Sequence, residues 1–208
     1  MNRRNAIKNL TLGIGYVVSV PAVVGIMQSC EKENVSWDAV FLSDEEQNLV
    51  THLADLILPT SEYPGGLEMN LPQFIDRMCA DLLNEADKKH FAAGSKQFSE
   101  SLKTAKGKSL LKASSDDIEE VFAGFFDISS EEQEKIIGNQ KKSIEELPEQ
   151  EAETYALYKC LFSIREFALL GYFTSENIGT EVLNFDPIPG GYKPCIPVSE
   201  VGNAWTIG

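Results

Sequence analysis

The stretch that follows Gly171 constrains the fold of this chain most strongly. Three prolines and two glycines fall close together in it, at Pro187, Pro189, Gly190, Gly191 and Pro194. Proline removes backbone donors and glycine resists ordering, so this stretch cannot continue as a helix. The sequence therefore predicts an extended C-terminal strap, from about residue 172, that lies over the surface of the preceding residues.

Large aromatic side chains recur along the predicted strap. They are Tyr172, Phe173, Phe185, Tyr192 and Trp205. Each brings a large apolar area to any surface that it contacts. We interpret them as the groups with which the strap grips that surface.

The residues before the strap have the periodicity of helices. Apolar residues recur at spacings of three and four, and Ser43 with Glu46 has the spacing of a capping box. Pro59 and Pro148 are placed as helix stops. The predicted helices are about 43–58, 72–83, 87–105, 118–126, 129–147 and 149–171, and no region is rich in strand signals. We expect an all-α domain over residues 42–208, an irregular helical bundle with the strap at its C-terminal end.

Residues 1–29 have the features of an export signal. Arg3 and Arg4 form a twin-arginine pair, Lys8 follows, and an apolar run extends from Leu10 to Met27. This order is typical of a twin-arginine (Tat) signal peptide, and a general secretory signal is the alternative.

Cys30 follows this apolar run directly after Ser29, as in a bacterial lipobox. We expect Cys30 to be lipidated, which would tether the domain to a membrane through residues 30–41. The alternative is a structural cysteine after ordinary signal cleavage. Either reading predicts the periplasmic side of a bacterial cell envelope.

The charge of the mature region excludes one class of partner. Residues 30–208 hold 15 basic and 32 acidic residues, a net charge of −17. Such a surface repels phosphate backbones, so nucleic-acid binding is not expected.

Motifs for chemistry are missing from the sequence. It has no P-loop, no GxSxG, no HExxH and no CxxC, and its only histidines are His52 and His90. We expect no catalysis by this chain alone, and no cofactor or metal bound by it.

Two segments carry a family resemblance. Residues 171–195 contain GYFTSE, an aromatic-Asp-Pro turn and PGGYKPC. Residues 42–66 have the sequence LSDEEQNLVTHLADLILPTSEYPGG and are followed by MNLPQFIDRM. Together they resemble the gluconate 2-dehydrogenase subunit 3 family.

The resemblance implies a non-catalytic small subunit of a flavin-dependent sugar, sugar-acid or alcohol dehydrogenase of the glucose-methanol-choline type. FAD would belong to the catalytic subunit, and a cytochrome c subunit would be a further partner. The strap aromatics would contact the partner. A stand-alone envelope lipoprotein that binds a glycan or another envelope protein is the alternative, and an enzyme with an unfamiliar site is a third.

The remaining cysteines and one arginine have expected structural roles. An odd number of cysteines remains after Cys30, and we expect Cys195 to pair with Cys79 or Cys160 and pin the strap; a bridge to another subunit is the rival. Arg165, on the last and most apolar helix, is expected to face inward and pair with Asp55 or Asp76, with anion recognition as the alternative.

Overall fold

A computed structural model describes residues 37–185, 190 and 195–206 of the protein. Within these residues the fold is all-α and contains no β-strand, as the sequence predicts. The α-helices are α1 (Asp44–Ile57), α2 (Leu71–Leu82), α3 (Glu85–Lys106), α4 (Ser115–Phe126), α5 (Ser130–Asn139) and α6 (Ala152–Thr174). No helix in the described part of the chain is long and apolar enough to cross a membrane.

Side-chain caps fix where the helices begin. Ser43 and Glu46 form the expected capping box at the start of α1, and Ser114 and Asp117 form a second one before α4. Asn84 caps α3 by accepting hydrogen bonds from Ala86 and Asp87. Each cap satisfies backbone donors that have no partner inside the helix.

Helix α6 is the centre of the bundle and packs against α1, α2 and α3. Its closest approach is to α3 at Gly94. A Cβ atom there would lie 2.2 Å from the carbonyl oxygen of Ala156 and 2.6 Å from Cys160 Cβ. Only glycine allows the two helices to pack this closely. The last and most apolar helix of the sequence therefore lies against three others.

Two helix ends differ from the sequence-based prediction. Helix α5 ends at Asn139 rather than at Pro148, because Gly138 and Asn139 are weak helix formers, and only a short 3₁₀ turn follows at Ile144–Glu146. Helix α6 continues through Tyr172 to Thr174, and a π-helical turn follows at Ile178–Val182. Since no proline interrupts residues 172–182, the extended strap begins at Leu183 instead of residue 172.

Candidate partner-binding surface

The segments that carry the family resemblance meet in space. The Tyr172 hydroxyl donates to the carbonyl oxygen of Pro64 at 3.0 Å. Gly171 lies against α2, so closely that a Cβ atom would be 2.6 Å from Phe74 Cδ1 and 3.0 Å from Leu71 Cδ2. We call these five residues the signature junction. Because they pack against one another, the signature positions hold the loop after α1, the start of α2 and the end of α6 together.

The glycine loop before α2 is folded back onto α1. The Gly66 N–H donates to the carbonyl oxygen of Leu58 at 2.7 Å. A Cβ atom on Gly66 would lie 2.6 Å from the carbonyl oxygen of Ala54. Any side chain larger than hydrogen would push the loop away from α1, and the signature junction would lose Pro64.

The first two aromatic residues assigned to the strap lie at the end of α6, and of these Tyr172 belongs to the signature junction. Tyr172 is 9% exposed, and Phe173 is half-buried and packs edge-on against it at a centroid distance of 5.4 Å. Burial, with a smaller effect from Tyr63, raises the pKa of the Tyr172 hydroxyl, which stays protonated as a donor. The predicted role of Tyr172 in partner contact is therefore wrong: the residue is needed inside the chain.

Asp76, on α2, fastens the N-terminal segment of the domain. One carboxylate oxygen accepts from the N–H groups of Phe41 and Leu42 at 3.0 and 2.9 Å. The other accepts from the N–H of Val40 at 2.8 Å and from the Trp37 indole at 3.3 Å. The side chain is buried, with Asp76 only 2% exposed. We refer to this arrangement as the Asp76 clamp.

The pKa of Asp76 shows the balance of two opposing effects. Burial raises the pKa of Asp76. The hydrogen bonds from the three backbone N–H groups and the Trp37 indole together lower it by more than burial raises it, so the pKa lies below the ordinary aspartate value. The charged form is thus the one that the clamp stabilises.

The Asp76 clamp also makes the tether shorter than the sequence predicts. Trp37, Ala39 and Phe41 pack against the core, so residues 37–41 belong to the folded domain rather than to the tether predicted over 30–41.

The later strap aromatics are exposed, as a partner-contacting role requires. Phe185 is 51% exposed and Trp205 is 59% exposed, and between them along the chain Ile196 and Val198 are exposed at 43% and 87%. Exposed apolar groups that cluster on one segment are typical of interaction sites. Tyr192 lies outside the described residues. We define the exposed strap as Phe185, Ile196, Val198 and Trp205.

Asn184 holds the two ends of the exposed strap together. Its backbone forms an isolated parallel bridge with Trp205, with Asn184 N donating to Ala204 O at 2.9 Å and Thr206 N donating to Asn184 O at 3.0 Å. The Asn184 amide also donates to the carbonyl oxygens of Val201 and Asn203. In return, the Asn203 amide donates to the carbonyl oxygen of Val182 at 2.7 Å. These bonds order the neighbourhood of Phe185 and Trp205 before any partner binds.

The cysteines do not form the expected bridge. Cys79 and Cys160 are buried in the core, whereas Cys195 is exposed, and all three thiols are free. A disulfide needs Cα atoms within about 7 Å, which a surface strap cannot offer to a core thiol without unfolding. Burial raises the pKa of Cys79 to about 12, with smaller effects from Asp76 and Glu46. Burial likewise raises the pKa of Cys160.

The expected inward orientation of Arg165 is also wrong. Arg165 is exposed on α6, so it needs no buried carboxylate partner. The acid that is buried, Asp76, keeps its charge and is stabilised by N–H donors instead. Asp55 is half-buried at a recess of about 230 Å³ that His52, Ser115 and Glu119 also line. His52 donates from Nδ1 to the carbonyl oxygen of Asn48 at 2.8 Å.

No catalytic constellation emerges among the described residues. Within that part of the chain no group of His, Cys, Asp and Glu side chains could hold a metal ion. Arg3, Arg4 and Cys30 lie outside the described residues.

The comparison with protein families agrees with the signature segments. A model of the gluconate 2-dehydrogenase subunit 3 family matches residues 44–190, more than two thirds of the chain. The chain belongs to this family. Searches of curated proteins and of solved structures gave no match.

Membership in the gluconate 2-dehydrogenase subunit 3 family identifies the chain as an accessory subunit of a dehydrogenase complex. The match includes the whole signature junction and Asp76. It ends at residue 190, before Ile196, Val198 and Trp205 of the exposed strap. The family pattern therefore covers mainly the residues that hold the bundle together.

Two features of the structure were not predicted from the sequence. The Asp76 clamp had one visible signal, a carboxylate between Ile75 and Cys79 on the buried side of an amphipathic helix. Ile196 and Val198 had none, because their exposure depends on how the strap folds back at Asn184.

Proposed function

We propose that this protein is the non-catalytic small subunit of a flavin-dependent dehydrogenase of the glucose-methanol-choline type that oxidises a sugar, a sugar acid or an alcohol. Its role is to cover apolar surface on the catalytic subunit, which carries the FAD, and to hold that subunit at the membrane. A cytochrome c subunit would complete the complex. The observation that carries the proposal is the exposed strap, apolar and ordered by Asn184, on a chain whose family consists of dehydrogenase subunits.

The strap is suited to bind a protein. Phe185 and Trp205 bring large, rigid aromatic area, which is what interface centres are enriched in. Because Asn184 already orders the strap, binding costs less conformational entropy than it would for a free tail. Segments rich in proline, as residues 187–197 are in sequence, are a recurring kind of protein-binding peptide.

The leader and Cys30 complete the proposal. A twin-arginine leader would export a folded, flavin-loaded partner that has no signal of its own, and the lipid on Cys30 would retain the complex at the periplasmic side of the envelope. Since the folded domain starts at Trp37, the chain from Cys30 spans at most about 25 Å. The Asp76 clamp would thus hold the domain close to the membrane, where a membrane electron acceptor is within reach.

Removal of the exposed strap tests the proposal. A variant that ends at Asn184 keeps Tyr172 and Ile178, which are core residues, so the bundle should remain folded. The catalytic subunit is co-expressed with the tagged full chain, with this truncation, or with the double variant Phe185→Ser and Trp205→Ser. We expect the full chain to co-purify a flavoprotein and both variants to lose it while their circular dichroism stays helical. Retention of the flavoprotein by both variants would remove the strap from the interface.

A further inference from the structure

One side of helix α6 carries several apolar residues that the bundle leaves partly uncovered. Phe162, Leu169 and Phe173 are half-buried, and Leu170 is 42% exposed. Their spacing of three, four and seven residues puts them on a single side of the helix. Helices α1, α2, α3 and α5 pack against α6. Glu166, which is exposed, lies on this side one turn from both Phe162 and Leu170. Because a mostly apolar helix is normally covered by other elements, the apolar residues around Glu166 are available to a partner.

Helix α4 extends this partly uncovered side. Phe126, at its C-terminal end, is 38% exposed and lies 6.5 Å from Phe162 and 5.0 Å from Phe122, measured between ring centroids. Phe126 also packs edge-on against Tyr158 at 5.8 Å. We define the α4–α6 face by its apolar members: Phe122, Phe126, Phe162, Leu169, Leu170 and Phe173.

The α4–α6 face leads to the exposed strap. Its last member, Phe173, precedes the end of α6 by one residue, and the chain continues from there through Ile178–Val182 to Leu183, where the strap begins. A partner that covers the strap is therefore placed to continue along α6. Over the eleven residues from Phe162 to Phe173 the helix rises about 16 Å, which is the scale of a protein interface.

The charge around α4 indicates what covers the face. Residues 115–134 contain eight carboxylates and no Lys or Arg. Two of them pair with lysines of the preceding segment, Asp117 with Lys108 and Glu120 with Lys106, each at 2.5 Å. Six negative charges remain. Exposed Arg165 and Glu166 on α6 offset each other.

These charges decide between two occupants. A second copy of this chain would bring a second acidic region against the first, and like charges at an interface cost free energy. A protein with basic residues around an apolar recess would gain both the apolar contact and the charge attraction.

We propose that the α4–α6 face is a second docking surface, and that its occupant is an apolar recess bordered by Lys and Arg on the catalytic subunit of the dehydrogenase. The inference rests on the proposed function and adds to it. The small subunit would hold its partner both by the strap and by α6, with the acidic end of α4 setting the orientation.

The test uses two exposed leucines on different helices. Leu170→Glu puts a second charge one turn from Glu166, at the most exposed apolar residue of the face on α6, whereas Leu82→Glu makes the same change on α2, outside the face; Leu82 is 62% exposed. Both full-length variants are co-expressed with the catalytic subunit. Burial of an unpaired carboxylate at an interface should weaken binding by about tenfold or more for Leu170→Glu, and Leu82→Glu should bind as the wild type does. Thermal unfolding of both isolated variants checks that they are folded.

Salt and charge reversal test the occupant. We expect the affinity of the wild-type pair to fall as the salt concentration rises, and Glu131→Lys with Glu132→Lys to weaken binding and flatten this dependence. Wild-type affinity for the flavoprotein with Leu170→Glu would overturn the inference and leave the proposed function intact. Dimerisation of the wild-type chain that Leu170→Glu abolishes would also overturn it, since the face would then cover a second copy. Failure of the wild type to bind any flavoprotein would refute the proposed function itself, and the docking surface with it.

Discussion

Replacement of Asp76 by Asn tests how the domain holds its N-terminal segment. The substitution keeps the shape of the side chain but turns one carboxylate oxygen into an NH₂ group. Either orientation of the amide leaves two of the four donors, the pair Phe41 and Leu42 or the pair Val40 and Trp37, without an acceptor.

A buried donor without an acceptor costs about 1–3 kcal/mol, so we expect Asp76→Asn to lower the free energy of unfolding by about 3–4 kcal/mol. For a domain of this size each kcal/mol lowers Tm by about 2–4 °C, which gives a shift of about 10 °C. Denaturant and thermal unfolding at pH 7 measure both values. Asp81→Asn is the matched control, because Asp81 is exposed on the same helix, and its effect should stay within about 0.5 kcal/mol.

The pH dependence gives an independent check. The pKa of Asp76 is lowered in the folded state, so the unfolded chain takes up a proton at a higher pH than the folded one. The stabilisation is complete above about pH 5 and is lost as the pH falls through 4 towards the folded pKa. Asp76→Asn should lack this acid-sensitive part. A loss below about 1 kcal/mol at pH 7, or an unchanged acid profile in Asp76→Asn, would refute the clamp.

Two further predictions concern the core. Gly94→Ala should destabilise the domain by about 1–3 kcal/mol in denaturant unfolding, because its Cβ would meet the backbone of α6. Gly124→Ala, where a Cβ has no neighbour within 4 Å, should instead stabilise by about 0.5–1 kcal/mol, and equal effects at the two sites would contradict the close packing. In native protein at pH 7.5, a thiol reagent should label only Cys195 of the three cysteines on the folded domain. Cys79 and Cys160 should react after denaturation. Rapid labelling of either core thiol would contradict their burial.

The helical order could be predicted from the sequence because its signals are local. The Ser43–Glu46 capping box, the apolar spacing of α1 and α2 and the stop at Pro59 all act within a few residues. The family match then confirmed the resemblance that the two end segments had suggested. These signals give the bundle class and the dehydrogenase complex to which the chain belongs.

What the sequence did not predict depends on contacts between distant residues. Tyr172 follows Gly171 in a segment that looks like a partner contact, but its hydroxyl finds Pro64, 108 positions away. Arg165 lies among apolar residues in the sequence, which suggested that it faces inward. Only the packing of α6 shows that it faces out. Asp76 receives its donors from residues 34 to 39 positions earlier, and no helical periodicity contains that information.

Purification of the tagged protein from its native cell in mild detergent tests most directly the proposed binding of this chain to a flavoprotein. Mass spectrometry identifies the bound chains. The absorbance spectrum between about 350 and 500 nm, where flavins absorb, reports the cofactor of the partner. We expect one catalytic subunit in stoichiometric amount, with flavin absorbance that follows it through size-exclusion chromatography. A monomer that elutes without flavin or partner would contradict the account.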